Sequence, residues 1–319
     1  MNKKHLLLIF LLVYGCRSFA QLLEKHRVIE VVGLHPSDDY KFVQSKQLYA
    51  EGWDKLEQPN FWRTLMTMEA DSALINIGST RQIIKKVSVK VWDKLSDDSK
   101  DVIRDSVKNH YGLPEDEHVY MTSGKKAFYD FQKVIPSIGR GIEIFNSNNV
   151  DPFYAQVILL IESPNKLQKS SVGAYGSFQI MRKVAISLGL KVNSTVDERK
   201  DFDKSAWASA KLIRTICIPE TNKILNANNV AFNPNDLWYK LLVLHTYHAG
   251  AGNVRNAVNV IQPEEGDMGL ITTLWQTEIG SFRNASQNYS QLALATLIEL
   301  DRIIVDECKF IYNCPLTEI

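Results

Sequence analysis

The sequence predicts a mainly α-helical fold with a small α+β region at its N-terminal end. Beyond about residue 125, apolar residues recur at helical spacing, framed by start signals such as Asp151-Pro152 and stop signals such as Gly250. Strand-like patterns are confined to the N-terminal third, for example at residues 118–122. The 319 residues, 45% of them hydrophobic and 23% charged, suffice for one or two packed cores.

The first twenty residues have the composition of a secretory signal peptide. Lys3 and Lys4 precede an apolar run at residues 6–13, and Ser18-Phe19-Ala20 forms a small-x-small cleavage site. Because the run is too short to span a bilayer, we predict that residues 1–20 are removed and that the protein is exported to the periplasm. Gly15-Cys16 leaves open a lipoprotein signal, in which a lipidated Cys16 would anchor the protein to the outer membrane.

The charge of the chain is nearly balanced, with 37 basic and 36 acidic residues and a formal net charge of +1. Removal of the signal peptide takes away Lys3, Lys4 and Arg17 and brings the net charge to −2. Such a balance gives no sign of a polyanion-binding surface, so no nucleic-acid partner is expected.

The cysteines are interpreted as structural. Cys16 belongs to the predicted signal peptide, and Cys217, Cys308 and Cys314 remain in an oxidising compartment. This number favours one disulfide and one thiol, and both Cys308–Cys314 and Cys217–Cys308 are open as pairings. Their spacings match no zinc pattern, so they do not predict a metal site.

Residues 21–135 are predicted to form the N-terminal α+β region. Residues 96–111 predict a helix that has acidic residues in its first turn and Gly112 as its stop, and residues 118–122 predict a strand. The region has no catalytic constellation that the sequence identifies. It is interpreted as a packing or adaptor region, and association with cell-envelope proteins through it is an open expectation.

The remainder is divided into a helical domain at residues 136–265 and a C-terminal helical extension at residues 266–319 that packs on it. In the first helix of interest, Asp151 is the N-cap, Pro152 is the first residue and the run to residue 163 is nearly all apolar, which predicts burial on most sides. Further helices are predicted from near Ser177 to Leu188, after Ser205, at residues 237–249 and within residues 291–305. The aromatic and amide-rich residues 275–300 either extend a ligand cleft or cap the domain.

Glu162 stands at the end of this apolar helix, where its surroundings favour a general acid. Burial disfavours the charged carboxylate and raises its pKa, and the negative end of the helix dipole acts in the same direction. A carboxyl group with a raised pKa can protonate a leaving oxygen near neutral pH. On this feature alone, a glutamate exposed at a frayed helix end is the competing interpretation.

Two downstream blocks favour the catalytic interpretation. Gly173 and Gly176 lead into a segment with Gln179 and Met181, and glycines allow the backbone to approach a ligand closely. The helix at residues 237–249 ends in Tyr247-His248, which brings a phenol and an imidazole to one helix end.

In this order, E-S at residues 162–163, G-x-x-G-x-x-Q-I-M at residues 173–181 and Y-x-A-G at residues 247–250 resemble the soluble lytic transglycosylase (SLT) domain of the lysozyme superfamily. The resemblance covers about residues 151–261 and is greatest to the membrane-bound murein transglycosylase D type. It implies a lysozyme-like helical catalytic domain that acts on peptidoglycan glycan strands and needs no cofactor.

The resemblance also implies a role for each matching residue. Glu162 corresponds to the catalytic acid and base, Ser163 to a neighbour that orients the acid or the sugar, and Tyr247 to a tyrosine that hydrogen-bonds the glutamate. The other implied substrate-binding positions are the two glycines of a cleft-wall loop, an amide that contacts the sugar and a residue of the cleft floor: Gly173, Gly176, Gln179 and Met181.

His248 departs from the family pattern, in which asparagine usually occupies this position. We predict that His248 lies in the cleft and binds substrate, and that it tunes the pH response because imidazole titrates near physiological pH. His245 would complete an H-x-x-H pair, but a metal site needs a third ligand and none is suggested. His245 is therefore expected on an ordinary helix face, and no metal is predicted.

A single carboxylate favours ring closure over hydrolysis. Hydrolytic glycosidases usually use two carboxylates, and the next acidic residue after Glu162 is Asp197. The resemblance implies cleavage of the β-1,4 bond between N-acetylmuramic acid and N-acetylglucosamine with formation of 1,6-anhydromuramic ends, a lyase reaction. A goose-type muramidase that uses water and a catalytically silent peptidoglycan-binding scaffold are the alternatives.

Overall fold

The structure, a computed structural model, describes residues 27–31, 40–162, 170 and 173–311. In this part of the chain helices dominate, and the strands form small antiparallel sheets, two of them in the N-terminal third. The predicted mainly α fold with an N-terminal α+β region is confirmed. None of the helices in the described ranges is both long and apolar enough to cross a membrane. The predicted signal peptide lies outside the described residues.

The N-terminal part contains two sheets with helices between and after their strands. Its elements are β1 (Arg27–Val31), β2 (Tyr40–Gln44), α1 (Gln47–Ala50), α2 (Glu57–Thr67), β3 (Ser72–Ile77), β4 (Ile83–Ser88), α3 (Val89–Trp92), α4 (Asp97–Tyr111) and β5 (Val119–Ser123). β1 pairs with β2, and the second sheet has the order β4-β3-β5. As predicted, α4 begins after Ser96, whose hydroxyl accepts a hydrogen bond from the amide of Ser99, and ends at Gly112 in a left-handed conformation.

The rest of the described chain is helical apart from one short hairpin. Its elements are α5 (Phe131–Ser147), α6 (Pro152–Glu162), β6 (Ala174–Tyr175), β7 (Ile180–Met181), α7 (Arg182–Leu188), α8 (Phe202–Leu212), α9 (Ile218–Ala227), α10 (Leu237–Ala249), α11 (Ala251–Ile261), α12 (Met268–Gln276) and α13 (Ala285–Ile311). The helix predicted at residues 237–249 has the bounds of α10. The helix predicted within residues 291–305 is part of one long helix, α13, which begins earlier than predicted.

The predicted helix start near Ser177 is wrong. The chain first turns through Gly176 and Gln179, whose φ angles of 90° and 46° are incompatible with a right-handed helix. This turn joins β6 to β7, and α7 begins only at Arg182. The predicted stop is confirmed, because Gly189 follows the helix with φ 107°.

The predicted N-cap at Ser205 is also wrong. The carboxylate of Asp201 accepts the N-cap hydrogen bond of α8, so Ser205 lies buried inside that helix. Cys217 ends the π-helical turn that joins α8 to α9, and it is a buried free thiol. This finding contradicts the Cys217–Cys308 pairing, and Cys314 of the other pairing lies outside the described residues.

Helix α6 lies at the centre of the main core. Its residues Phe153–Ile161 are all buried, because a helix that is apolar on every side must be covered on every side. Helices α5 and α13 pack against it, and α10 packs against α13. The end of α6 that carries Glu162 is thereby held against α13.

The main core continues across the predicted boundary at residue 135. Phe42 and Leu48 belong to it, and the side-chain amide of Gln156 in α6 bonds both backbone groups of Val43 in β2, at 2.7 and 2.9 Å. The segment 72–123, called the satellite unit below, has in addition a small apolar cluster of its own: Ile75, Trp92, Val107 and Val119. The first part of the N-terminal region is therefore integral to the helical core.

Candidate active site

Glu162, the last residue of α6, is half-buried and is hydrogen-bonded to a tyrosine from the C-terminal helix. The hydroxyl of Tyr289 in α13 donates to Oε1 of Glu162 at 2.8 Å. Burial raises the pKa of Glu162 to about 7, although the hydrogen bond from Tyr289 acts in the opposite direction. Among the described residues, no second carboxylate contributes to this shift. The group is therefore a lone acid that holds its proton up to about neutral pH.

Three tyrosines surround this carboxyl group. Burial raises the pKa of Tyr129, Tyr247 and Tyr289, and the negative charge of Glu162 adds to the shift in each. All three hydroxyls therefore stay protonated near neutral pH and can act as hydrogen-bond donors. The site combines one titratable acid with neutral donors.

Tyr247 was expected to form a hydrogen bond with Glu162, but in the structure its hydroxyl bonds other partners. The Tyr247 hydroxyl donates to the backbone carbonyl of Phe178 at 2.6 Å and accepts from Ser209 Oγ at 3.2 Å. The β6–β7 turn presents that carbonyl to α10, so Tyr247 ties the turn to α10, and Tyr289 supplies the bond to Glu162.

The predicted cleft-wall residues lie on the β6–β7 hairpin. Gly176 is buried at φ 90°, and a Cβ there would collide with the backbone carbonyl of Arg199, whereas Gly173 at φ 91° faces open space. Gln179 donates its side-chain amide to the carbonyl of Gly176 at 3.0 Å and thereby closes the turn. Met181 is exposed at the end of the hairpin.

Arg199 holds this hairpin in place. Its guanidinium is buried, pairs with both oxygens of Asp197 at 2.9 and 2.8 Å, and donates to the carbonyl oxygens of Gly173 and Ile180 at 3.0 Å each. The charged segment at residues 196–202 therefore positions loops and has no described contact with Glu162.

His248 packs against Tyr289, the tyrosine that hydrogen-bonds Glu162. The two rings are stacked, with centroids 4.3 Å apart and an interplanar angle of 20°. His248 is open to solvent, yet the surrounding protein desolvates its ring and lowers its pKa to about 4. This direction favours the neutral imidazole near physiological pH, and the expectation that His248 titrates there stays a prediction.

His245 is a core residue, not the ordinary helix-face residue that was expected. Its Nε2 lies 2.7 Å from the hydroxyl of Ser290, which also accepts a hydrogen bond from Trp275. Burial lowers its pKa to about 3, so it is neutral. Within the described ranges, no group of at least three His, Cys, Asp or Glu side chains has metal-binding geometry.

Tyr289, like Tyr129, is a site residue that the sequence interpretation missed. It stands 127 residues after Glu162, in no block of the resemblance. The available signal was the aromatic and amide-rich composition of residues 275–300, which does not single out one tyrosine. Helix α13 both packs on the core and contributes to the site. Ser163, expected to orient the acid, lies outside the described residues.

The fold and this lone acid define a mainly α, lysozyme-like domain. Comparison with protein families is more specific: residues 142–267 match the family described as "Transglycosylase SLT domain". The match includes Glu162, the hairpin and the end of α10, and it indicates a lytic-transglycosylase-type enzyme that acts on peptidoglycan. It covers less than half of the chain, and Tyr289 lies beyond it. A search of curated proteins finds no significant match.

Proposed function

We propose that this protein is an exported lytic transglycosylase that cleaves the β-1,4 bond between N-acetylmuramic acid and N-acetylglucosamine and leaves 1,6-anhydromuramic ends. One observation carries the proposal. Glu162 is a lone, half-buried carboxyl group whose pKa of about 7 allows it to hold a proton and then to release it near neutral pH.

In the proposed reaction, Glu162 donates its proton to the glycosidic oxygen, and the bond between that oxygen and the anomeric carbon breaks. The N-acetyl group of the sugar stabilises the positive charge that develops at the anomeric carbon. The carboxylate then removes the proton from the C6 hydroxyl, whose oxygen bonds to the anomeric carbon and closes the ring. Glu162 regains its proton and no water is consumed.

Tyr289 supports both halves of this cycle. Its hydroxyl, 2.8 Å from Oε1, stabilises the carboxylate that forms after the first proton transfer. Without this donor, burial alone would hold the proton more strongly and slow its release. The opposing effects of burial and Tyr289 place the acid in the range where both transfers are feasible.

The remaining assignments are part of the same proposal. Gly173, Gly176, Gln179 and Met181 would form one wall of the glycan cleft. His248, stacked on Tyr289 and open to solvent, would contact the sugar as a neutral imidazole. Ser163 is proposed to orient the acid, and no cofactor takes part. Export to the periplasm, the murein transglycosylase D type, and contact of the N-terminal region with envelope proteins are likewise proposals.

Muropeptide analysis of digested sacculi tests the function. The wild-type protein is expected to release anhydro-muropeptides, and Glu162→Gln is expected to abolish cleavage because an amide cannot donate the proton. Glu265→Gln, the same change at an exposed position of the same domain, serves as the control. Reducing ends in place of anhydro ends would identify a muramidase. Binding of sacculi without cleavage by the wild type would identify a scaffold and refute the proposal.

A further inference from the structure

We propose that Arg81, in the β3–β4 turn of the satellite unit, is a positioning residue for Tyr289 and that the satellite unit thereby serves catalysis. The proposal rests on the proposed function in one respect, namely that Glu162 is the acid whose partner is Tyr289. It assigns a role to a part of the chain that lies outside the matched SLT segment.

The guanidinium of Arg81 contacts the residue that precedes Tyr289. Its Nη2 donates to Oδ1 of Asn288 at 3.2 Å, and its Nη1 lies 3.5 Å from Oδ1 of Asn76. Arg81 has φ 61°, an unfavourable conformation for a residue with a Cβ, and its amide is held by the carbonyl of Ile77 at 3.0 Å. The turn therefore projects the guanidinium from a backbone that is itself fixed.

Aromatic rings from α2 and from the satellite unit hold this cation in place. The guanidinium carbon lies 5.6, 5.7 and 5.6 Å from the ring centroids of Phe61, Trp62 and Tyr120. Among the described residues, no carboxylate forms an ion pair with it. Glu117 attracts the guanidinium electrostatically without forming an ion pair with it. A half-buried cation without a direct ion pair is costly, and the ring faces and amide oxygens offset part of that cost in this geometry.

Two more contacts join the same region to the segment around Tyr289. Gln276, the last residue of α12, donates to the carbonyl of Ser79 at 2.6 Å. Trp62 donates its indole N–H to Oε1 of Gln291 at 2.9 Å in a buried hydrogen bond. The chain between α12 and α13 has its own Ile279–Phe282 bridge, and Gln287 bonds the carbonyl of Thr277. The contacts from the N-terminal region, placed on both sides of this chain, add to these in fixing where α13 begins.

The position of Tyr289 matters because its hydrogen bond to Glu162 depends on distance. Hydrogen bonds weaken steeply beyond about 3.2 Å, so a displacement of about 1 Å at the start of α13 would remove the donor. Tyr129 and Tyr247 also interact electrostatically with Glu162, and His248 stacks on Tyr289. None of these three residues is in described contact with Arg81. Loss of Arg81 should therefore act on the site through Tyr289.

The test compares Arg81→Gln with Arg104→Gln. Arg104 also lies over an aromatic ring, Trp92 at 5.9 Å, but has no described contact with α13, so it controls for general loss of a cation–π contact in the satellite unit. For Arg81→Gln we expect kcat to fall by about three- to tenfold with little change in KM, because an interaction made in the reaction is weakened. Arg81→Lys should restore part of the activity, and Arg104→Gln should behave as wild type.

Non-additivity distinguishes positioning from a general structural defect. If Arg81 acts through Tyr289, the Arg81→Gln/Tyr289→Phe double variant should be no slower than Tyr289→Phe alone. Asn288→Ala removes the acceptor of the Arg81 hydrogen bond and should reproduce the loss of kcat seen for Arg81→Gln. Because both changes weaken the donor to Glu162, both should also shift the alkaline limb of the pH–rate profile to higher pH. The inference would be overturned if the fold-loss of kcat in the double variant equalled the product of the losses in the two single variants, or if Arg81→Gln kept the wild-type kcat. An inactive wild type would instead refute the proposed function, and formation of reducing ends would leave the test of Arg81 intact.

Discussion

At the scale of single residues, the chemistry of Glu162 depends on two opposing interactions. Burial favours its neutral form, and the hydroxyl of Tyr289 favours its charged form. Because burial dominates, the acid titrates near neutral pH. Desolvation lowers the pKa of both His248 and His245, so Glu162 is the group expected to set the pH dependence.

Tyr289→Phe should shift the alkaline limb of the pH–rate profile to higher pH. Removal of the donor destabilises the carboxylate, so the pKa of Glu162 rises and the acid stays protonated over a wider range, while kcat falls by about tenfold. The measurement is the rate of anhydro-muropeptide release between about pH 5 and 9. Tyr111→Phe, at an exposed tyrosine of α4, should leave the profile unchanged. A shift to lower pH would contradict this account of the hydrogen bond.

Glu162→Gln should stabilise the protein at alkaline pH and not at acidic pH. The pKa is raised from 4.5 in the unfolded chain to about 7 in the folded protein, so the folded state binds the proton more tightly and its stability falls as the pH rises through that window. Glutamine avoids this loss, so the free energy of unfolding of the variant at about pH 8 should exceed that of the wild type by about 1–3 kcal/mol. Urea unfolding at about pH 4 and pH 8 measures it. An equal gain at both values would show that burial of the charge is not its cause.

At the scale of elements, the β6–β7 hairpin is held by contacts that its own sequence does not contain. Arg199 reaches the carbonyl oxygens of Gly173 and Ile180 from another segment, and Tyr247 reaches that of Phe178 from α10. A two-residue ladder of this kind has little stability alone, so its shape depends on these neighbours. The hairpin is thus tied to Tyr247, one of the tyrosines around Glu162.

Gly176→Ala should destabilise the protein far more than Gly173→Ala. Both glycines have φ near 90°, which costs a residue with a Cβ about 1–2 kcal/mol, but only at Gly176 would the Cβ collide with the backbone of Arg199. Overpacking of this kind adds about 1–3 kcal/mol. Urea unfolding of both variants gives the comparison, and equal losses would mean that the close approach at Gly176 relaxes freely.

At the scale of the whole molecule, the chain contains a main core and an attached satellite unit. The main core extends from Phe42 to Leu300, so it joins segments from both sides of the SLT match. The ends of the satellite unit lie together, because the amide of Gly124 donates to the carbonyl of Ser72 at 2.9 Å. Excision of the unit is therefore geometrically simple, whereas removal of everything before it would open the core.

We expect a variant lacking residues 73–123 to fold and a fragment that begins at residue 126 to fail to fold. The excision removes Leu74 from the main core, which lowers stability, while the fragment loses Phe42, Leu48 and the whole of α2. Circular dichroism with thermal unfolding distinguishes the two. The folded excision variant should cleave glycan slowly, as we also expect for Arg81→Gln. Cooperative unfolding of the fragment would show that the N-terminal segment is dispensable.

Much of the fold and part of the site were predictable because their signals are local. The bounds of α4, α6 and α10 follow from caps, glycine stops and apolar runs within each segment. Glu162 could be chosen because it ends an apolar helix and precedes recognisable blocks. The start of α7 was misjudged because the positive φ of Gln179 is imposed by tertiary contacts and leaves no mark in composition.

The sequence by itself determined the mainly α class and the position of an acid at the end of an apolar helix, since both depend on residues close together in the chain. The raised pKa of that acid also requires its burial by distant elements. Only the tertiary structure decided which tyrosine serves that acid. Tyr289 and Glu162 are 127 residues apart, and their hydrogen bond exists because α13 packs against α6. The position of the N-terminal region is decided in the same way. Contacts between side chains far apart in the chain depend on how the helices pack, and no local sequence pattern predicts them.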